Sequence, residues 1–273
     1  PAAAPFSAEG DLVPIANPLS ESFAVLRPSA LPSLIGAVAH NRRREQRDVR
    51  LFEVGGRFSK ARGESQSVAC AWTGAAAHEH WGGGARDVDF FDMKGTVERI
   101  AATLRLEVTT ERHEESWLVA GRSAAVITNG TRIGVFGQLA PAIADAHGLP
   151  PGDPIYVAEI DLDEAQRLAP KGDARIELLP RYPSVTRDIS VLVDDTLPAA
   201  AARATVREAA PATLARVREF DRYQGKGVPE GKVSLSLRLT FRSSDRTLTD
   251  SEVQSAMDAV LDALKSRHNA VQR

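Results

Sequence analysis

Five polar residues spaced two apart, Ser234, Ser236, Arg238, Thr240 and Arg242, interleave with Val233, Leu235, Leu237, Leu239 and Phe241. A period of two gives a strand one apolar face and one polar, partly cationic face. An open sheet with Ser, Thr and Arg above and an apolar layer beneath can carry a nucleic-acid strand on its polar side. The plainer alternative is a solvated face of an antiparallel sheet. The preceding run, Leu214–Tyr223, sets Val217, Glu219, Asp221 and Tyr223 on one face provided no bulge intervenes. Other chemistry-bearing residues are less organised. Arg42, Arg43, Arg44, Arg47 and Arg50 follow an apolar run, where they read either as cations favoured at a helix C-terminus or as contacts to RNA or an acidic partner. His78-Glu-His80 offers two metal ligands with no third nearby. Gly82-Gly-Gly-Ala-Arg86 lacks the strand–helix setting and the Lys-Ser/Thr of a phosphate loop. Cys70 reads as a small core residue.

The elements that must position these residues fall into two groups. Pro28-Ser-Ala-Leu-Pro-Ser33 opens a helix with Leu31, Leu34, Ile35 and Val38 at helical spacing. Strands follow at Val49–Val54 and Gln66–Trp72, then a helix after Asp89 with Met93, Val97, Ile100 and Leu104 on one side. Strands are expected at Leu106–Thr110, Ser123–Thr128 and Arg132–Gly137, with Asn129-Gly130 as a two-residue hairpin turn. A short helix at Pro141–Ala146, a strand at Ile155–Ile160 and a helix at Asp163–Leu168 complete the group. Residues 1–170 thus form one domain, 171–180 a linker starting at Pro170-Lys-Gly-Asp173, and 181–273 a second domain. The second reads β (Arg187–Val193), α (Pro198–Ala209), β (Leu214–Tyr223), β (Lys232–Arg242), α (Asp250–Leu264) and a final strand near Ala270–Arg273. That βαββαβ order is the ferredoxin-like unit, which hosts many functions.

Composition narrows the class. The chain is 43% hydrophobic and 26% charged, as in globular proteins. No apolar run approaches the ~20 residues of a membrane-crossing helix, and a single cysteine suits the reducing cytoplasm. From Arg181 onward there are 15 Lys+Arg against 12 Asp+Glu, while the rest of the chain has 19 against 24. A mildly basic second domain permits a polyanionic partner without requiring one.

Four motifs then occur in order: Arg181-Tyr-Pro-Ser-Val-Thr-Arg-Asp188, Phe220-Asp-Arg-Tyr-Gln-Gly225, Gly231-Lys-Val-Ser-Leu235 and Arg246-Thr-Leu-Thr-Asp250. Together they resemble the ferredoxin-fold anticodon-binding domain that ends the β subunit of bacterial phenylalanyl-tRNA synthetases. In the first half, Asn17-Pro-Leu-Ser20, Val25-Leu-Arg27, Asp48-Val-Arg-Leu-Phe-Glu-Val-Gly55, Asp89-Phe-Phe-Asp-Met-Lys-Gly95 and Ile133-Gly-Val-Phe-Gly137 resemble that subunit's degenerate class II synthetase module. The fold this implies is α+β: a class II-like antiparallel-sheet domain followed by the ferredoxin-like domain. The resemblance also implies a C-terminal part of a longer subunit that works with a catalytic α subunit, in an α2β2 heterotetramer, on tRNA(Phe). It places the family's anticodon-reading Asp, Tyr and Ser at Asp221, Tyr223 and Ser234. Arg187, Arg238 and Arg242 are weaker candidates for phosphate contacts. The competing reading is that Tyr223 packs at the strand end and Asp221 caps the Gln224-Gly225 turn. Three places depart from the family pattern: Val119-Ala-Gly-Arg122 stands for His-Pro-Gly-Arg, Gly137-Gln-Leu-Ala-Pro141 for Gly-Glu-Leu-His-Pro, and Val233 for a Lys.

A class II adenylating site needs arginines to neutralise ATP phosphates. Gly56-Arg57-Phe58 ends a strand similar to the first strand of that device, but Ser59-Lys60-Ala61 supplies no second Arg, and no Gly-rich strand leads into an Arg-bearing helix. No catalytic residue and no bound metal or cofactor is therefore expected in this chain; ATP and Mg2+ serve the assembled enzyme. A self-contained class II ligase and a regulatory ligand-binding module are the alternatives. An apolar face of the first domain is expected to meet α, with the Leu31–Val38 helix as its contributor or as an ordinary core helix.

Overall fold

The computed structural model describes residues 3–8, 10–20, 23–77, 80–150, 152–172 and 179–273. The chain divides into two compact units, Pro1–Asp173 and Ala174–Arg273. Most of the expected linker, and His78 and Glu79 of the two-histidine motif, lie outside the described residues.

In the first unit, α1 (Leu31–Arg42) is followed by β1 (Val49–Ser59), β2 (Gly63–Thr73), α2 (Phe90–Thr103), β3 (Thr109–Arg112), β4 (Leu118–Thr128) and β5 (Thr131–Leu139). Then come α3 (Pro141–Ala146), β6 (Ile155–Asp161) and α4 (Leu162–Leu168). The strands form one antiparallel sheet in the order β1-β2-β6-β5-β4-β3. Both faces are covered, so β6 is buried along its whole length. Val68, Cys70 and Trp72 of β2 point to the α2 and α4 side. Ala69 and Ala71 point to the α1 side, where Leu31, Leu34, Ile35 and Val38 are all at most 5% exposed. The α1 residues expected to offer a face to a partner are thus occupied by the sheet of their own domain. Apolar surface remains instead at the edge strand β1, where Phe52 and Val54 are exposed.

Local chemistry explains several boundaries. Asp89 and Asp92 make a reciprocal capping box at the start of α2. Asn129 and Gly130 have φ of 48° and 73°, the backbone a two-residue type I′ turn demands. Helix α1 has no acidic residue in its first turn; Glu159 of β6 takes that place, accepting the Ala30 backbone N–H at 2.9 Å. The arginines at and beyond the end of α1 are spent largely on intramolecular contacts. Arg42 pairs with Asp153, Arg47 with Asp87, and the Arg50 guanidinium lies 4.0 Å from the Trp72 ring centroid.

The second unit runs β7 (Val185–Asp194), α5 (Ala199–Ala209), β8 (Leu214–Tyr223), β9 (Lys232–Phe241), α6 (Asp250–His268) and β10 (Val271–Gln272). Its antiparallel sheet has the order β10-β7-β9-β8, the ferredoxin-like arrangement. One face packs on α5 and α6 around Leu235, Leu237, Leu239, Phe241, Val206, Val260 and Leu264. Val233, in place of the family's Lys, belongs to this core, opposite Val193.

Candidate nucleic-acid interface

The open face of the second sheet is set by register. Across β7, β9 and β8 three rungs carry Leu192, Ser234 and Tyr223; Ser190, Ser236 and Asp221; and Asp188, Arg238 and Arg218. The rungs between them, such as Ile189, Leu237 and Glu219, face the helices. Asp221, Tyr223 and Ser234 therefore share one face in adjacent rungs.

The route by which they come together differs from the expectation for β8. A bulge lies between Glu219 and Asp221, with Phe220 as the extra residue. Val217 and Glu219, opposite Leu239 and Leu237, face the core side, while Asp221 and Tyr223 face the open side. All four would share a face only in an unbroken strand. The signal was present: Val217 is an apolar anchor, and carrying its parity onward would have turned Asp221 and Tyr223 toward the core.

The exposure of β9 also differs from the simple alternation. Ser234 and Ser236 are 4% and 6% exposed. They are short side chains on a central strand, flanked by Leu192 and Tyr223 or by Ser190 and Asp221. Ser190 Oγ and Ser236 Oγ are hydrogen-bonded at 2.9 Å. The surface above these serines belongs to their neighbours.

Tyr223 is 40% exposed. Its hydroxyl donates to the Lys226 carbonyl at 3.4 Å, and its ring lies over the turn. A Cβ on Gly225 would come 2.8 Å from the Tyr223 hydroxyl oxygen, so the glycine makes room for the ring. The Arg273 guanidinium stands 5.8 Å from the ring centroid. Asp221 is exposed, and no described residue holds its carboxylate in a hydrogen bond or ion pair. The turn-capping role weighed for Asp221 is absent among the described residues, whereas the packing role weighed for Tyr223 is partly present.

The three arginines separate. Arg187 lies opposite Leu239, on the helix side, and donates to Asp250 Oδ1 at 3.0 Å at the start of α6. Arg238 is on the open face, but its Nε and Nη2 grip the Asp188 carboxylate at 2.8 and 2.7 Å. That hydrogen-bonded pairing holds the Asp188 carboxyl below the ordinary range. Arg242 is half-buried, and its Nε is enclosed without a partner among the described residues. Sequence reasoning missed Arg216 and Arg218, which are exposed on β8 in the rungs of Thr240 and Arg238. The bulge hides their parity.

In the first unit a cavity of about 480 Å³ is lined by Arg57, Arg62, Arg132, Glu115, Glu159 and Asp161. The β1–β2 hairpin delivers Arg57, whose Nη2 is 2.6 Å from Asp161 Oδ2. Arg62 binds the same carboxylate, and Arg132 stands 3.4 Å from Glu115. Burial alone would raise the Asp161 pKa; the Glu164 backbone N–H, Arg62 and Arg57 together outweigh it and leave the group below its usual value. Each arginine in the cavity already faces a carboxylate, so the residues present do not fit a nucleotide triphosphate. No group of three His, Cys, Asp or Glu among the described residues is placed to hold a metal ion, and no helix among them is long and apolar enough to cross a membrane.

Comparison with known families agrees with this division. Residues 3–162 match the phenylalanyl tRNA synthetase beta chain CLM domain, and residues 180–273 match the ferredoxin-fold anticodon binding domain. The chain is similar to the phenylalanine–tRNA ligase beta subunit of Acinetobacter baylyi, 35% identical over 266 residues that cover 95% of this chain and 33% of that protein. The corresponding subunit of Xanthomonas axonopodis pv. citri is 38% identical over 266 residues, 95% of this chain and 33% of its own length. That of Symbiobacterium thermophilum is 37% identical over 258 residues, 92% and 29% respectively. The chain spans about a third of the length of these curated relatives. With two domain matches in the expected order and these relatives along nearly its whole length, the chain belongs to the phenylalanyl-tRNA synthetase beta-chain family.

Proposed function

We propose that this chain is the scaffolding and anticodon-binding part of a phenylalanine–tRNA ligase, an enzyme only once assembled with a catalytic α subunit in the cytoplasm. The observation that supports it best is the pair of adjacent rungs that set Asp221, Tyr223 and Ser234 on one open sheet face. Tyr223 offers a ring to an unpaired base, and the exposed Asp221 carboxylate can accept from guanine N–H groups. Ser234, nearly buried, acts close to the sheet floor once the base lies over it. Among the phosphate contacts, Arg238 serves only through the edge left free by Asp188, and Arg187 is withdrawn to the helix side. The first domain's role is to hold α, with ATP and Mg2+ bound there and not in the carboxylate-filled cavity of this chain. Its apolar contribution comes from the exposed edge of β1 at Phe52 and Val54, since α1 is buried. An α2β2 assembly acting on tRNA(Phe) is the form in which these parts would work.

The test uses assembled enzyme containing Tyr223→Ala or Asp221→Ala. Each should weaken aminoacylation while leaving adenylate formation unchanged. Wild-type charging by both would reject the assignment.

A further inference from the structure

The bulge in β8 has a consequence for the open face beyond the Asp, Tyr and Ser positions. A β-bulge inserts a residue and re-aims its side chain. Here the inserted residue is Phe220, which is 46% exposed. A single exposed aromatic is ordinary. This one differs in its setting. The Arg238 guanidinium lies 5.0 Å from its ring centroid, and that guanidinium is fixed by two hydrogen bonds to Asp188. Ring and cation thus form a prepared pair on the sheet face that carries Asp221 and Tyr223.

We infer that Phe220, backed by Arg238, is a second base-stacking station for single-stranded RNA on this face, resting on the anticodon reading above. Phe220 and Tyr223 are three residues apart, about 10 Å along an extended strand. That is roughly three stacked-base rises of 3.4 Å, so the two rings serve separate, splayed bases, with the exposed Asp221 carboxylate between them. Bases stack on aromatic rings and on Arg planes alike. Further along the same strand, Arg216 and Arg218 face the same side and are exposed. They give a phosphate track leading to the station, beside the one edge of Arg238 that Asp188 leaves free. Asp188 is a positioning residue here: it holds the guanidinium against the ring.

The experiment measures tRNA binding and charging by assembled enzyme carrying Phe220→Ala, Phe220→Leu or Phe220→Trp, beside Tyr223→Ala. Loss of one stacked base should weaken tRNA binding about 5- to 160-fold in the Ala variant. The Leu variant keeps apolar volume but no π face, so it should fall with Ala, and it carries the test if the Ala variant is unstable. The Trp variant should stay within about twofold of wild type. Adenylate formation should not change. If Tyr223→Ala loses binding while Phe220→Ala and Phe220→Leu keep it, the second station is wrong and the anticodon reading survives. If Tyr223→Ala also binds normally, the open-face reading itself fails. If the Leu variant binds as wild type, or the Phe220 variants lose adenylate formation, the side chain acts in packing or assembly and the inference is overturned.

Discussion

Removing the Glu159 carboxylate should destabilise the first domain and leave the second untouched. Glu159 is buried, and its Oε1 accepts from the Ala30 backbone N–H at 2.9 Å and from Ser67 Oγ at 3.0 Å. Its Oε2 lies 3.9 Å from Arg57. Glu159→Ala leaves the helix N–H and the serine hydroxyl without their acceptor; hydrogen bonds to a charged group contribute about 1.5–3 kcal/mol each. Arg57 keeps Asp161, so it is not orphaned. The net loss is about 3–6 kcal/mol for the two bonds together. Glu159→Gln keeps an acceptor oxygen and loses the charge at the helix N-terminus, about 1 kcal/mol. Urea unfolding followed by tryptophan emission isolates this domain, because Trp72, Trp81 and Trp117 all lie within it. With a urea slope of about 2 kcal/mol per molar, the Ala variant should lower the midpoint by about 2 M. A shift below about 0.3 M, or equal shifts for Ala and Gln, would refute the assignment of Glu159 as the carboxylate that holds the start of α1.

Asp161 gives a pH signature: its pKa is lowered in the folded state, so its stabilisation is present above the ordinary carboxylate range and fades as pH falls through the folded value. Asp161→Asn should cost about 3 kcal/mol at neutral pH and flatten the acid side of the first domain's stability curve, read by tryptophan emission between pH 6 and about 2. Burial raises the Cys70 thiol to about 11, so at pH 8 about one molecule in a thousand is thiolate; a thiol reagent should titrate it only after denaturant is added. The isolated chain should catalyse no phenylalanine-dependent pyrophosphate exchange, since each cavity arginine already faces a carboxylate; exchange above a blank would contradict this.

Much of the fold was legible because it is written locally. Alternation in Lys232–Arg242, the Asn129-Gly130 turn and the apolar spacing after Asp89 each specify their own backbone. What was not legible depends on partners distant in sequence. The start of β4 moves from Ser123 back to Leu118 because a register shift and Gly121, at φ 76°, break the alternation there. The N-terminus of α1 is capped from β6, 129 positions away. The bulge that turns Asp221 and Tyr223 outward exists only through pairing with β9, and the burial of Ser234 only through its neighbours' side chains. Charge alone gave no hint that Arg187, Arg238 and the cavity arginines would already be paired.

Reading of the first anticodon base should depend on Asp221. Assembled wild-type and Asp221→Ala enzymes would each charge tRNA(Phe) and a transcript whose first anticodon base is replaced. The wild type should prefer the natural transcript, and the variant should lose most of that preference, because no carboxylate then accepts from guanine N–H groups at this position. Adenylate formation should be equal in both. If the variant discriminates as sharply as the wild type, the open face of β8 and β9 does not read the anticodon through Asp221.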